Sequence, residues 1–406
     1  MTPPTAPHAD AHTGYLRVLA VPEFRTLFLA EVLAILGQVA AQITLSLTVY
    51  TRTGSPLLSA LAFAMGFLPH LLGATLLSSL ADRVGARRLM VLTQAATALL
   101  VACMAVPGTP VAVMLAMVFA MGTIAPLYQG TKAATVADVL PPEGFALGRS
   151  LLRMAAQLAQ ICGFAFGGAL FAVLSPTAAL LAGAGLLTVS CLLLRLGLPA
   201  FEPRRSPEAV PVSPVAESLR GAREVLRSPR LRVLSALLWL PPMLSVSAEA
   251  LAPPLADDLG GGPTLVALLL SATPAGMVVG TLLTGSLLGD ARRVRAIVPL
   301  GLLTFLPLLC LGLRPGAATL LVLLALSGAG YGYALGVDRL LVAAVPERER
   351  GRVMTLATAG LMIFQGMGFV VAGALAEVLS PNTVVVLAAL AGTAVVLIAG
   401  PRTGLR

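Results

Sequence analysis

Charge is scarce in this chain. Of 406 residues only 11% are Asp, Glu, Lys or Arg, against about 25% in soluble domains, and the mean hydropathy is +0.93. That balance excludes a soluble globular fold and leaves an integral membrane protein. Aromatic residues are few as well, 5% with a single tryptophan. The basic residues gather in alternating loops, with no aromatic platform beside them, so the net charge of +9 sets topology and no nucleic-acid partner is expected. The three histidines, His8, His12 and His70, form no metal or nucleophile arrangement. Cys103, Cys162, Cys191 and Cys310 all fall in apolar runs without metal-ligand spacing and read as small core residues. No G-x-x-x-x-G-K-[ST] sequence occurs, which removes the phosphate cradle that ATP-driven transport uses. No enzyme and no cofactor is expected. Residues 1–20 contain no cleavable apolar leader, so the first span is expected to direct insertion.

What is present is a series of uncharged apolar runs. Spans are placed at 24–50, 56–78, 89–107, 110–129, 150–174, 176–198, 231–255, 263–289, 295–313, 317–341, 353–378 and 382–400. The expected fold is an all-α membrane protein of twelve transmembrane helices. It divides into a tail (1–23), a six-helix half (24–199), a linker (200–230), a second six-helix half (231–400) and a tail (401–406). Within the linker, Pro203–Pro214 reads as a flexible connector. Glu217–Arg227 reads as an amphipathic helix on the membrane surface, with Leu219, Ala222, Val225 and Leu226 at helical spacing. Assigning both termini and the loops at 79–88, 130–153, 195–232, 290–295 and 339–352 to one side collects 25 of the 27 Lys and Arg. By the positive-inside rule that side is expected to be cytoplasmic, in the inner (plasma) membrane of a cell.

The halves repeat. Gln160–Pro176 aligns with Gln365–Pro381, and ten of seventeen positions are identical, including Gln160/Gln365, Gly163/Gly368 and Ser175-Pro176/Ser380-Pro381. Parallel six-helix repeats are how many secondary transporters are built.

Between the second and third spans lies Ser78-Ser79-Leu80-Ala81-Asp82-Arg83-Val84-Gly85-Ala86-Arg87-Arg88. It resembles the major facilitator superfamily signature G-x-L-A-D-R-x-G-R-R, with Ser78 in place of glycine and Ala86 in place of the first arginine of the pair. A second copy, Ser286–Arg295, keeps Asp290 followed by Arg292 and Arg293. Phe24-Arg25-Thr26-Leu27, Val49–Ser55, Val139–Glu143 and Val345–Met354 are similar to the bacterial drug-proton antiporter branch, which includes macrolide effluxers and siderophore exporters. The resemblance implies alternating access of the two halves. It also implies cytoplasmic gating by Asp82, Arg83, Gly85, Arg87, Arg88, Asp290, Arg292 and Arg293, with Asp82 docking near Gly351-Arg352-Val353, where free helix amides favour an anion.

Acids inside a bilayer are costly, about 2.5–3.5 kcal/mol on insertion scales, and are functional candidates by default. Glu31 lies about 9 Å beyond Arg25 at 1.5 Å per residue. With Gln38 and Gln42 it forms a stripe on one helix face, which should face a cavity rather than lipid. In the resembled branch an aspartate commonly follows the glycine at Gly37; here Gln38 stands there, leaving Glu31 as the substitute proton carrier. A structural hydrogen bond is the competing role. Gln160 and Gln365 are further cavity candidates. Glu249 follows Pro241-Pro242 on a kinked seventh helix, and Trp239, Tyr331 and Tyr333 either line an aromatic substrate site or pack. Arg153 reads as snorkelling, His70 as packed and Glu377 as solvated at its helix end. The phenylalanine at Phe164 replaces the proline of the antiporter signature G-P-x-x-G-G, and nearby glycines allow close helix approach. The expected function is proton-gradient-driven export of hydrophobic or amphipathic small molecules by a monomer in the lipid bilayer. A specific metabolite or siderophore exporter, or a proton-independent facilitator, is the alternative, and a non-transporting membrane sensor or scaffold stands behind both.

Overall fold

A computed structural model describes residues 17–70, 72–73, 77, 84–200, 228–345 and 350–403, and every regular element among them is helical. The first half comprises α1 (Pro22–Thr53), α2 (Pro56–Phe67), α3 (Ala86–Met104), α4 (Val111–Val139), α5 (Pro142–Val173) and α6 (Pro176–Gly197). The second comprises α7 (Pro229–Ser245, continued by Ser247–Ala250 and Ala252–Asp258), α8 (Gly262–Leu287), α9 (Ile297–Leu309, extended by a 3-10 turn to Leu313), α10 (Ala317–Gly330 and Tyr333–Ala344), α11 (Arg350–Ala376) and α12 (Pro381–Ala399). Among the described residues nine helices are long and apolar enough to cross a bilayer, and Pro56–Phe67 and Ile297–Leu313 are shorter apolar helices. The 32-residue α5 completes the twelve.

Helix starts follow from local sequence. Four Ser-Pro pairs open α2, α6, α7 and α12. In each the proline takes the first helical position, where its missing N–H costs nothing, and the serine hydroxyl accepts from an amide of the first turn. The α1 helix ends at Gly54, whose left-handed φ of 65° suits glycine and lets its N–H reach the Tyr50 carbonyl.

The long α1 is packed on several sides, against α6, α5 and α2. Its crossing with α6 depends on two glycines. A Cβ on Gly37 would stand 2.7 Å from the Gly183 carbonyl oxygen, and one on Gly183 would stand 2.9 Å from that of Gly37. Between membrane helices, such small-residue seams replace the hydrophobic drive that lipid does not supply.

The two ends of the molecule differ. Toward the arginine-poor face, α1, α2 and α5 share one apolar cluster with α7, α8 and α11, in which Ile43, Phe63 and Phe164 join Leu251, Leu265 and Phe369. Toward the arginine-rich face the halves keep separate cores, one around Phe24, Met90 and Leu152, the other around Leu234, Ile297 and Leu341. The halves therefore meet as one packed body at the arginine-poor face, through α2 on α11 and α5 on α8.

Two expectations shift. The tenth span, read as one run at 317–341, is interrupted between Gly330 and Tyr333. Lys132, read as part of a loop at 130–153, lies inside α4, which continues to Val139. The apolar stretch had suggested an end at 129, but a helix needs only one apolar face, and the other faces of α4 carry its polar residues. Asp82, Arg83 and the amphipathic segment at 217–227 lie outside the described residues.

The glycine seam yields a prediction. Overpacking of a tight site costs about 1–3 kcal/mol, so Gly183→Leu is expected to lower the thermal midpoint and the monodisperse yield in detergent. Gly185→Leu, two residues along where an added Cβ meets nothing within 4 Å, should leave both near wild type. Equal losses in a fluorescence-detected melting assay would show that the seam does not govern packing.

Candidate functional site

The most concentrated polar chemistry in the first half is built around Glu31. Its side chain is 4% exposed and that of Lys132 12%, and the two form an ion pair at 2.5 Å between α1 and α4. Lys132 also donates to Gln129 Oε1 at 2.6 Å and lies 5.5 Å from the centroid of the Tyr128 ring. Three partners replace water around its ammonium: a carboxylate, an amide oxygen and a ring face. The other Glu31 oxygen, Oε2, is buried, and the Tyr128 hydroxyl lies within interaction reach of Glu31. The acid is fixed from behind. Gln94 Nε2 donates to Ser190 Oγ at 3.3 Å, and Ser190 donates to the carbonyl of Ala30 at 2.7 Å, tying α3 and α6 to the residue preceding Glu31.

Beside this pair lies a cavity of about 180 Å³ enclosed by α1–α4. Gln38 and Gln42 line it together with Thr93, Gln94, Thr97, Tyr128 and Gln129, while Glu31, the third residue of the expected stripe, does not. Its apolar wall includes Leu45, Phe67, Val101 and Met104. All lining residues belong to the first half. Gln160 on α5 and Gln365 on α11 are half-buried and stand outside this cavity. Sequence reasoning missed Lys132, although a signal existed: it is the only lysine in the chain, while every other basic residue is arginine. Arginine served everywhere for topology, so a lone lysine marked a different requirement.

In the second half the polar chemistry follows from broken helices. Pro241 has no N–H for the Leu237 carbonyl, and the Tyr333 hydroxyl donates to that oxygen at 3.1 Å. Tyr333 is only 2% exposed, so it packs and repairs backbone rather than lining a substrate path. Trp239 stacks on Phe364 at 5.4 Å and donates from Nε1 to the Ala357 carbonyl at 3.0 Å, which joins α7 to α11. Tyr331 is half-buried, hydrogen-bonded to Ser245 and 6.1 Å from the Tyr333 ring. Glu249 sits on the one-turn piece Ser247–Ala250, within electrostatic reach of Tyr331. Tyr331, at the break in α10, and Ser245 and Glu249, on the broken α7, thus form one cluster. His70 is half-buried, its Nδ1 without a hydrogen-bond partner among the described residues.

At the arginine-rich face, Gly85 caps α3, Arg87 donates to the Leu198 carbonyl at 3.1 Å, and Arg88 is exposed. Asp290 opens a short helix, Asp290–Arg295; Arg293 donates to the Gly285 carbonyl at 2.6 Å, and Arg292 is exposed. The field of Arg153 on α5 reaches Asp338 on α10 of the other half. Glu377, expected to be solvated, is exposed and also accepts hydrogen bonds from Ser55 and the start of α2.

Helices in two joined halves, a polar cavity and an intramembrane ion pair define a membrane transporter rather than an enzyme. A sequence profile of the Major Facilitator Superfamily matches residues 27–248 and 243–403, and the chain belongs to that superfamily. Among solved structures it is similar to a POT family transporter in complex with 5-aminolevulinic acid (12% identity, TM-score 0.73, covering 94% of this chain and 96% of that one). It is also similar to a nucleoside transporter (13%, 0.72, 94% and 98%). A third is a bacterial homologue of the iron transporter ferroportin in an inward-facing state (18%, 0.66, 93% and 98%). At these identities the likeness is one of fold. No curated protein matches the sequence.

Tyr333→Phe tests the repair of α7. It keeps the ring and leaves the Leu237 carbonyl unpartnered, at a cost of about 1–3 kcal/mol. The expected readout is a lowered thermal midpoint; an unchanged midpoint would mean that another donor takes the carbonyl.

Proposed function

We propose that this protein exports hydrophobic or amphipathic small molecules by alternating access, coupled to the inward flow of protons. The arginine-rich face is assigned to the cytoplasm, in a cell's plasma membrane, following the positive-inside rule. The observation that carries the reading is the Glu31–Lys132 pair. It is an ionisable pair inside the membrane, beside a cavity that the neighbouring Tyr128 and Gln129 line.

The mechanism follows from charge. With Glu31 ionised the pair is neutral overall, and α1 is held to α4. A proton on Glu31 removes the ion pair and leaves Lys132 as a cation supported by Gln129 and the Tyr128 ring. The α1–α4 contact weakens and the energy of the cavity changes, which is the differential interaction that a coupling ion must supply to bias two states. Cargo fits against Leu45, Phe67, Val101 and Met104, with amides and hydroxyls from Gln38, Gln42, Thr93 and Thr97 available for hydrogen bonds.

That polar lining also favours a second reading, a specific exporter of a more polar metabolite. Seven amide or hydroxyl side chains around about 180 Å³ match a compact solute with several donors and acceptors better than a bulky drug.

Flux of a hydrophobic dye in proteoliposomes, with and without an imposed pH gradient, tests the proposal. Wild type is expected to move dye with the gradient, and Glu31→Gln to lose the gradient response. Removing one partner of a buried pair costs about 3–5 kcal/mol, whereas replacing both is often tolerated. The double variant Glu31→Gln/Lys132→Met should therefore fold and still ignore the gradient. A double variant that retains gradient-driven flux would take coupling away from this pair. Dye flux absent from wild type, with a compact polar solute moved instead, would select the metabolite reading.

A further inference from the structure

Glu377 stands where its own helix gains nothing from it. It follows the last residue of α11, at the end where the helix dipole is negative and an acid is disfavoured. Its carboxylate nevertheless has a well-formed site, in the other half of the molecule. Oε1 accepts from the Ser55 hydroxyl at 2.5 Å and from the Leu57 amide at 3.1 Å. Ser55 Oγ in turn accepts from the Leu58 amide at 3.1 Å. Pro56 has no N–H to offer. The first two free amides of α2 therefore both lead to one carboxylate, directly and through a hydroxyl, at the helix end that favours an anion.

The contact continues down the same face of α11. One turn in, an added Cβ on Gly373 would stand 2.8 Å from Ala60 Cβ and 2.9 Å from Leu57 Cα, so only glycine lets α2 come this close. A turn further, Phe369 stacks on Phe63 at 5.2 Å and on Phe67 at 5.7 Å. Positions 369, 373 and 377 share one helix face, and together they seal the arginine-poor face.

We infer that Glu377 is a positioning residue for alternation: its carboxylate is a removable cap on α2 that exists only while the arginine-poor face is closed. When the halves part there, the acid, already exposed to water, loses both donors, and the Leu57 amide loses its acceptor. The stabilisation is thus assigned to one state of the cycle, as a state-selecting contact must be. It rests on the alternating-access fold and not on cargo or coupling ion.

The test is a distance measurement needing no substrate. Spin labels at Val106→Cys and Leu313→Cys, both exposed positions near the arginine-poor face of opposite halves, are read by pulsed electron resonance with the four native cysteines replaced by alanine. The unsubstituted latch is expected to give mainly the short distance. At this exposed rim water screens the contact, so Glu377→Ala should lower the closed-to-open ratio about three- to fivefold. Glu377→Gln, which keeps an acceptor and loses the charge, should fall between the two. Ser55→Ala added to Glu377→Ala should shift the ratio little further, since the Ser55 hydroxyl reaches the other half only through Glu377 and its bond to Leu58 lies within one half. If Glu377→Ala folds poorly, Glu377→Gln and Ser55→Ala alone carry the test. A distance distribution unchanged in Glu377→Gln and Ser55→Ala would overturn the inference, as would fully additive effects of the two sites. Failure of the dye assay would leave these distances untouched, so the two proposals fail separately.

Discussion

Lipid offers no hydrogen bonds, and that constraint organises most of what this chain does with its few polar residues. A backbone carbonyl freed by Pro241 cannot turn to water, so Tyr333 is brought from α10 to meet it. A lysine cannot remain charged at this depth without company, so Glu31, Gln129 and Tyr128 surround it. The hydroxyl of Ser190 bridges the Gln94 amide to the carbonyl of Ala30. These polar side chains thereby become ties between helices, whereas buried threonines such as Thr44, Thr48 and Thr135 donate to carbonyls of their own helix. Buried side-chain atoms without a hydrogen-bond partner among the described residues include His70 Nδ1 and Ser247 Oγ.

The same constraint explains the asymmetry of the molecule along its length. At the arginine-poor face the halves share one apolar cluster, closed by aromatic stacking between α2 and α11 and finished by a polar cap at the rim. At the arginine-rich face they hold separate cores. A transporter that alternates needs contacts of this kind, large enough to define a state and local enough to be undone. Apolar packing is well suited because the loss on separation is graded with area. The rim hydrogen bonds add a sharper, all-or-none component.

Much of this was legible in one dimension. The uncharged runs marked the helices, the Ser-Pro pairs marked several of their starts, and the arginine distribution separated two faces. The repeat of Gln160–Pro176 at Gln365–Pro381 disclosed two related halves. The stripe of Gln38 and Gln42 was readable from helical spacing, and both residues line the cavity. Lys132 was misread because a polar residue near the end of an apolar run looks the same whether the helix stops or continues. Tyr333 was ambiguous because a buried tyrosine and a cavity tyrosine have the same letter and the same apolar neighbours in sequence.

Composition and periodicity determined by themselves that the chain lives in a membrane, as two six-helix halves with an acid embedded in the first helix, because burial in lipid restricts composition along the whole length. Pairings across the bundle were decided only in three dimensions. Glu31 meets Lys132 across α1 and α4, Trp239 meets Ala357 across α7 and α11, and Glu377 meets Ser55 and Leu57 across the two halves. The energy of a hydrogen bond or ion pair depends on distance and direction over a few ångströms, and the sequence separations of these pairs run from 101 to 322 residues. No local pattern reaches that far; only helix packing brings those atoms together.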